Sequence, residues 1–568
     1  MTLLDERLRN ADWTTRTVQS LFRETCAHRG DDVAIFHNGA TLTFAALQDE
    51  VDVLAASLLR RGLGAGDVVS VLPSPTPAFA AVFFAVLQTG ATLNPLNLLW
   101  SRDELAAVLA RNRPMMIVAA AEHGGRDHLA HVESALDGSA PQLVAVTDGG
   151  IGALQAHGDE GAQQCASRSA RSDWERLADL QTVSLATDVR REILDTVERA
   201  RSETPQFICQ TSGSTNVSKS AVWTHPTALS TAHFASRALG LDENDRYLNL
   251  APFYHNSGLC SSLIMSLAFA GIGLQLFDSF DPDEALDAAA RNGLTVTFGF
   301  AAHWNALAAS DRYSRSSFTL RRALLAGDDD LHKTVAQMCP PGAVLANLYA
   351  QTENGPLVAL TEYDALGARR QSSNGRPLPG VELVIRDLTS DRPVPDGGAG
   401  EICYRSPFLF EGYLQEDGST LRPLDDDRYF RSGDVGRLDE GYLTYIERLG
   451  SVVKSGGENV SLTRVTQQLQ MVLGSEIDDV RAVAVPHEYW GSMVVALLRT
   501  DGTDDEFERR IMRDRCRQAL AGYEIPQRFF RYPSQWPVSP EGKLDMKSLE
   551  RFATTAVDEA QAHEEEAR

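Results

Sequence analysis

The sequence lacks the signals of a disulfide framework, a membrane span and a secreted precursor. Its seven cysteines are scattered and form no CxxC pair, which argues against a disulfide framework or a metal–thiolate cluster. The longest apolar stretch, PAFAAVFFAVLQTGATL, breaks before membrane-spanning length. The first residues, MTLLDERLRNADWTTRT, contain early acids and no apolar h-region. These absences predict a soluble cytoplasmic protein with reduced thiols.

Positive charge is also in short supply. Lys and Arg number 53 against 77 Asp and Glu, which gives a net charge of −24. A surface this acidic repels phosphate backbones and anionic membranes, so neither nucleic acid nor a membrane is expected as a partner. Any nucleotide site must therefore be built from local donors.

The length and the periodicity predict several α/β units. A chain of 568 residues with 43% hydrophobic residues is too long for one ordinary core. Residues 41–112 alternate helical and strand patterns, which indicates mostly parallel sheets with helices on their faces.

Residues 121–204 have a weaker pattern, which predicts surface loops around one or two elements. Residues 438–450 predict a hairpin, and a compact α+β segment then runs to about residue 552. The tail after it, residues 557–568, predicts a frayed, solvated helix. We place the domain junction near Arg448–Gly450, giving domains 1–447 and 448–568.

The strongest local signal is the segment TSGSTNVSK at residues 211–219, which follows an apolar run. Backbone N–H groups and hydroxyls of such a loop converge on phosphate oxygens, and a nearby lysine supplies charge. The GxxxxGK[ST] spacing of a Walker A loop is absent. Taken alone, a loop rich in Ser, Thr and Gly is more often an ordinary flexible turn.

Six further motif segments follow this loop along the chain. They read PFYHNSG at 252–258, NLYAQTE at 347–353, GEI at 400–402 with GY at 412–413, YFRSGD at 429–434, Arg448 with KSGGENV at 454–460, and PVSPEGK at 537–543. In this order they resemble the motifs of the adenylate-forming superfamily, which includes acyl-CoA synthetases, peptide-synthetase adenylation domains and luciferases.

The resemblance implies an α/β fold with a large N-terminal domain of packed sheets and helices and a small mobile α+β C-terminal lid. It implies ATP and Mg²⁺, and coenzyme A as the expected acceptor. The implied catalytic residues are Lys543, His255, Thr352 and Glu353, with Glu353 also the metal ligand and His255 a gate beside the acid. The implied cofactor-binding residues are Thr211, Ser212, Gly213, Ser214, Thr215, Lys219, Asn347, Tyr349, Asp434 and Arg448. The implied substrate pocket contains Asn256, Gly258, Phe300, Gly327, Asp328 and Ala350.

Five departures from the family pattern affect these expectations. The phosphate loop lacks the usual TGxPKG ending, and Ala350 replaces a glycine, which predicts a narrower acid pocket. Gly450 occupies the hinge position, and residues 461–465 replace the usual acidic helix start. The acidic turn Asp328–Asp330 stands where relatives carry a neutral turn. It either caps the helix that begins near Leu331 or pairs with a donor group on the substrate.

Four hypotheses follow for the function. The first is an acid:CoA ligase acting on a small or aryl acid. The second keeps adenylation but activates nitrite, which some superfamily members pass to an aryl amine to give a diazo product without CoA. The third loads an acyl group onto a separate carrier protein. The fourth is a degenerate, nucleotide-binding regulatory protein, which the joint retention of Lys219, Glu353, Asp434, Arg448 and Lys543 argues against. A homodimer remains open.

Overall fold

The computed structural model describes most of the chain. The described residues are 2–123, 126–136, 141–146, 174–181, 187–211, 218–315, 317–326, 329–361, 373–455, 458–474, 477–487, 491–499, 515–516, 520, 524–538 and 544–566.

Two nine-stranded sheets form the bulk of the molecule. In spatial order the first sheet contains Arg376–Pro377, Leu357–Leu360, Val344–Ala350, Arg322–Leu325, Val296–Gly299, Arg246–Asn249, Gly273–Gln275, Val33–His37 and Ala40–Thr43. The second contains Thr420–Leu421, Gly412–Leu414, Ser220–Trp223, Phe207–Gln210, Thr92–Pro95, Val68–Leu72, Met116–Ala120, Gln142–Val146 and Trp174–Arg176. The inner strands of each sheet are parallel, and antiparallel pairs occur toward the edges.

Two smaller sheets follow. The third sheet is antiparallel and contains Glu382–Arg386, Ala399–Arg405, Phe430–Asp439 and Tyr442–Arg448. The C-terminal sheet contains Glu458–Ser461, Val452–Ser455, Gly491–Arg499 and Asp479–His487, with Arg528–Arg531 parallel to Gly491–Arg499. Glu122–His123 and Arg126–Asp127 form a short separate ribbon.

Helices cover the faces of these sheets. The α-helices are Leu3–Arg9, Val18–His28, Phe44–Arg60, Pro77–Gln88, Arg102–Asn112, His128–Ala135, Leu177–Leu180, Thr187–Arg199, His225–Leu239, Pro282–Asn292, Ala301–Ala309, Asp329–Met338, Leu462–Leu473 and Met546–Glu566. Short 3₁₀ turns lie at Ala11–Thr15, Thr352–Asn354 and Leu449–Ser451, and Gly258–Ala270 is a π-helix. No helix in the described ranges combines the length and the apolar character that a membrane crossing requires.

The central hydrophobic core lies between the two large sheets. It joins Ile35 and Val296 of the first sheet to Val69 and Phe207 of the second, all nearly inaccessible to solvent. The π-helix Gly258–Ala270 is buried along its whole length within this layer. Separate clusters fill the outer faces of both sheets. Because helices cover both faces of largely parallel sheets, the predicted α/β class is confirmed.

The structure differs from the sequence prediction in two segments. Residues 121–204 hold more than one or two elements: the described part contains four strands and three helices. The C-terminal helix starts at Met546, and Ala553 and Val557 pack into a core cluster, so the start of the tail is not solvated. The hairpin predicted at 438–450 is present as Phe430–Asp439 paired with Tyr442–Arg448.

Candidate active site

The phosphate-loop segment begins and ends on a hairpin of the second sheet. Phe207–Gln210 pairs antiparallel with Ser220–Trp223. The backbone N–H of Thr211 donates to the carbonyl of Lys219 at 2.9 Å, and the Ser218 hydroxyl donates to the Thr211 carbonyl. These bonds hold the two ends of the loop together. The predicted loop residues Ser212, Gly213, Ser214 and Thr215 lie outside the described residues.

Lys219 and Glu353 meet at one tyrosine ring. The Lys219 ammonium lies 4.8 Å from the centre of the Tyr413 ring, within cation–π range. The Tyr413 hydroxyl donates to Oε1 of Glu353 at 2.5 Å. Burial, followed by the Glu353 carboxylate, raises the pKa of the Tyr413 phenol, which therefore stays a donor at neutral pH. The structure thus brings together a cation and an anion that are 134 positions apart in the sequence.

A second group of side chains surrounds the predicted acid site. The side-chain amide of Asn256 donates to the Thr352 hydroxyl at 2.7 Å, which links the segment 252–258 to the 3₁₀ turn that carries Glu353. The His255 ring packs edge-on against Phe300, with centroids 5.1 Å apart. Nδ1 of His255 lies 2.6 Å from the Ser257 hydroxyl. The structure therefore places Asn256, His255 and Phe300 in one region, and their role as the acid pocket stays a prediction.

Gly258 begins the π-helix and permits a very close approach of the backbone. A Cβ atom at this position would lie 2.1 Å from the carbonyl oxygen of Pro252, which excludes every other residue. π-Helical turns are rare and occur often at functional sites. Ala350 is exposed at the end of its strand, so its methyl group can face a ligand. Gly327, Asp328 and Lys543 lie outside the described residues, and the side chains of Asp329 and Asp330 are not described.

Asp434 is the centre of a buried hydrogen-bond network. Its carboxylate accepts from the Tyr349 hydroxyl at 2.6 Å, from Nε2 of Gln351 at 2.7 Å and from Arg448 at 2.6 Å. Burial opposes the charge of Arg448, but Asp434 outweighs it and raises the pKa of the guanidinium. These bonds fix the carboxylate orientation before any ligand arrives.

Tyr349, which the sequence predicts to stack on adenine, already stacks on another ring of the protein. Its ring is buried and stacks on Tyr445 with centroids 6.1 Å apart. Burial and then Asp434 raise the pKa of its phenol. Tyr445 is 41% exposed, so the stack reaches the surface through this second ring. Stacking of Tyr349 on adenine stays a prediction.

Asn347 is buried, and its side chain is bonded to the main chain. Its amide nitrogen donates to the Ser373 carbonyl at 3.0 Å, and Oδ1 accepts from the backbone of Leu348 at 3.0 Å. In this arrangement the side chain holds two neighbouring segments together. Its contact with the adenine edge also stays a prediction.

Two residues of the site carry contacts that the sequence did not assign. Gln351 bonds Asp434 and also accepts from the Tyr404 hydroxyl, and Tyr413 joins Lys219 to Glu353. Both residues stand inside the quoted motif segments, which was the available signal. Their partners lie far along the chain, so periodicity and spacing could not identify them.

The donor set fits a weakly held magnesium ion better than a transition metal. No group of three or more His, Cys, Asp or Glu side chains suited to a metal occurs among the positions that the structure describes. Mg²⁺ in nucleotide enzymes is commonly held by one or two carboxylates together with phosphate oxygens. A single carboxylate, Glu353, next to the base of the phosphate loop is compatible with that arrangement.

Comparisons with known proteins give the family. The family model described as AMP-binding enzyme matches residues 22–414, well over half of the chain. The chain is 28% identical over 514 residues to a feruloyl-CoA synthase from an Amycolatopsis species, covering 90% of this chain and 94% of the relative. It is 27% identical over 523 residues to a 2-succinylbenzoate–CoA ligase from Geobacillus kaustophilus, covering 92% and 95%.

A solved structure shares the fold. ATP-bound MatB from Rhodopseudomonas palustris superimposes with a TM-score of 0.73 at 22% identity, covering 94% of this chain and 99% of that one. The fold, the family match and the ordered motifs agree. The chain belongs to the AMP-binding enzyme family, the adenylate-forming superfamily that its motifs resemble, and it is an AMP-forming ligase.

Proposed function

We propose that this enzyme activates a small or aryl carboxylic acid as an acyl adenylate and then transfers the acyl group to coenzyme A. The observation that carries the proposal is the meeting of Lys219 and Glu353 at Tyr413, at the base of the phosphate-loop segment. The two relatives, a feruloyl-CoA synthase and a 2-succinylbenzoate–CoA ligase, are each named for an aromatic acid and coenzyme A, which supports the choice of substrate and acceptor.

In the first step a carboxylate oxygen of the acid attacks the α-phosphorus of ATP. A new oxygen–phosphorus bond forms, the bond to the bridging oxygen breaks, and pyrophosphate leaves with that electron pair. Two anions must approach each other, so positioning and positive charge provide most of the catalysis. Lys219 binds the β- and γ-phosphates, and Thr352 contacts the α-phosphate. Lys543 contacts the reacting oxygens.

Asp434 and Arg448 are proposed to hold the ribose. A carboxylate has about four lone-pair sites. Tyr349, Gln351 and Arg448 fill three of them, so Asp434 accepts one ribose hydroxyl directly and accepts the second when one of these donors is displaced. Tyr349, Gln351 and Arg448 already orient the Asp434 carboxylate. This side chain therefore loses little conformational entropy when the ribose binds. A magnesium ion held by Glu353 and phosphate oxygens would neutralise charge that builds on the phosphates.

In the second step the thiol sulfur of coenzyme A attacks the acyl carbon. The carbon–sulfur bond forms, the carbon–oxygen bond to AMP breaks, and AMP leaves while the thiol proton is released. The His255–Phe300 pair supplies an aromatic wall beside the acid. An aryl ring of the substrate can pack against these two rings in the offset or edge-on arrangements that aromatic pairs prefer.

A single substrate panel tests the proposal. Pyrophosphate release is measured with aryl, amino-aryl and fatty acids and with nitrite, each with and without coenzyme A. We expect release with an aryl acid and thioester formation when coenzyme A is present. Nitrite-dependent turnover that ignores coenzyme A would replace the proposal with diazotisation. Acid-dependent release without thioester formation would favour a carrier protein, and no release with any acid would favour a regulatory protein.

A further inference from the structure

Tyr413 lies where the two large sheets approach each other at the site. It belongs to strand Gly412–Leu414 of the second sheet, whereas Glu353 lies in the turn between two strands of the first sheet. Its hydroxyl bonds the Glu353 carboxylate, and its ring face lies against the Lys219 ammonium. One side chain therefore contacts both charged groups of the phosphate region through two different parts of its structure.

The surroundings fix the backbone of Glu353 but leave its side chain dependent on Tyr413. The carbonyl of Glu353 accepts from the backbone N–H of Phe410 at 2.8 Å, and Gly355 ends the turn in the left-handed region. The carboxylate itself is only half-buried. The Tyr413 hydroxyl donates to Oε1, which restricts the rotation of the carboxylate, and Oε2 takes no part in this bond.

Lys219 depends on the ring in a similar way. Its side chain is exposed, and a flexible ammonium at the surface samples many rotamers. The face of an aromatic ring attracts the ammonium and narrows that range. Arg111 supports the same region from the other side, because it donates to the Ser218 carbonyl at 2.6 Å.

We propose that Tyr413 is a positioning residue that presets Glu353 and Lys219 in the arrangement that a magnesium–triphosphate group requires. Its hydroxyl orients the Glu353 carboxylate for magnesium. Its ring orients the Lys219 ammonium for the phosphates. The inference rests on the proposed function, because it takes the nucleoside triphosphate as the ligand.

The two contacts can be separated by two variants. Tyr413→Phe removes the hydroxyl and keeps the ring, whereas Tyr413→Leu removes both. Affinity for ATP is measured by titration calorimetry with excess Mg²⁺ and again with EDTA, on the full chain. Tyr313→Phe is the matched control, because it removes a hydrogen bond of a half-buried tyrosine to the Met338 carbonyl in the core cluster on the outer face of the first sheet. Thermal unfolding of each variant verifies folding.

We expect Tyr413→Phe to weaken binding of magnesium–ATP about tenfold, as the loss of a hydrogen bond to a charged group does. Binding of ATP in EDTA stays near wild type in this variant, whereas Tyr413→Leu loses affinity in both conditions. Adding Tyr413→Phe to Glu353→Gln gives no further loss, because the two residues act as one unit. The Tyr313→Phe control matches wild type throughout.

Three results would overturn the inference. The first is wild-type affinity in Tyr413→Phe, and the second is an equal loss with and without magnesium, which a general structural role would give. The third is full additivity of Tyr413→Phe and Glu353→Gln. A wild-type chain that binds no ATP in either condition would overturn the proposed function together with this inference, so the two failures are distinguishable.

Discussion

Gly355 shows how a single residue supports the site. It follows the turn that carries Thr352 and Glu353 and has φ of +72°, a conformation that disfavours side chains. A Cβ atom here would lie 1.9 Å from the Thr227 carbonyl oxygen. The Thr231 hydroxyl donates to the Gly355 carbonyl, so the helix His225–Leu239 holds the turn from below.

Replacing this glycine is expected to destabilise the whole chain. Gly355→Ala combines a backbone clash with a strained φ, which together cost about 2–4 kcal/mol in the free energy of unfolding. Gly64→Ala is the control, because its Cβ would meet open space and no positive φ is required there. Urea denaturation of both variants measures the difference. Equal stability of the two variants would contradict the packing described around Gly355.

At the residue scale the sequence predicts which charged groups belong to the site but not which side chains contact them. Lys219, Glu353 and Asp434 stand in motifs whose order can be read along the chain. The bond from Tyr413 to Glu353 spans 60 positions, and the bond from Gln351 to Asp434 spans 83. Contacts of that separation depend on how sheets meet, and no local pattern encodes them.

Among the secondary-structure elements, the helix His225–Leu239 begins on a fully buried histidine. The ring of His225 accepts a hydrogen bond from the backbone N–H of Val18 at 3.3 Å, joining this helix to Val18–His28. It also packs edge-on against Phe207 of the second sheet. Burial lowers the pKa of His225 to about 3, so the folded chain keeps this ring neutral.

The buried, neutral ring of His225 is expected to lower the free energy of unfolding in mild acid. An unfolded histidine has a pKa of about 6.5, so between about pH 3 and 6.5 the unfolded chain binds the additional proton. The stabilisation is complete above pH 6.5 and falls as the pH drops toward 3. At pH 5 the loss from this one group is about 2 kcal/mol.

The variant His225→Asn isolates that contribution. An asparagine oxygen can accept the Val18 bond but does not titrate. We expect the decrease in unfolding free energy between pH 7.5 and pH 5 to be about 2 kcal/mol smaller than in wild type. His28→Asn, at an exposed histidine, serves as the control and should leave the pH slope unchanged. An unchanged slope in His225→Asn would show that this ring does not control the response.

Elements with strong periodicity were predictable, and those with weak periodicity were not. The helix Phe44–Arg60 and strand Val68–Leu72 have clear patterns and caps. In residues 121–204 the strands are short, and Trp174–Arg176 owes its place to pairing with Gln142–Val146 rather than to its own pattern. Tertiary pairing thus supplies structure that local propensity cannot indicate.

At the scale of the whole molecule, the hydrophobic clusters divide near the predicted domain junction. Among the residues that the structure describes, the three clusters of the large sheets end at Leu443, and the two C-terminal clusters begin at Val453. Ser461 in the C-terminal sheet donates to the Glu447 carboxylate at 2.8 Å across that junction. Independent cores are what a moving lid would require. The boundary itself stays a prediction.

The lid assignment gives a prediction for Lys543. If this lysine reaches the reacting oxygens from the C-terminal domain, Lys543→Ala abolishes acid-dependent pyrophosphate release and leaves ATP affinity within a few-fold of wild type. The reason is that the proposed function puts this lysine at the reacting centre and assigns nucleotide binding to Lys219 and Asp434. Lys547→Ala, four positions away, is the control for a nearby charge. Pyrophosphate release by Lys543→Ala at the wild-type rate would end this assignment.

The polar bonds that join the three sheets at the site have a consequence for how long the protein persists in a cell. Tyr413–Glu353 joins the second sheet to the first, and Tyr349–Asp434 joins the first to the third. A nucleotide seated on these groups binds only the assembled sheets and so stabilises them by mass action, by about 2.7 kcal/mol at one hundred times its dissociation constant. Under the proposed function, bound ATP therefore lowers the population of unfolded chain, which is the form that proteases cleave.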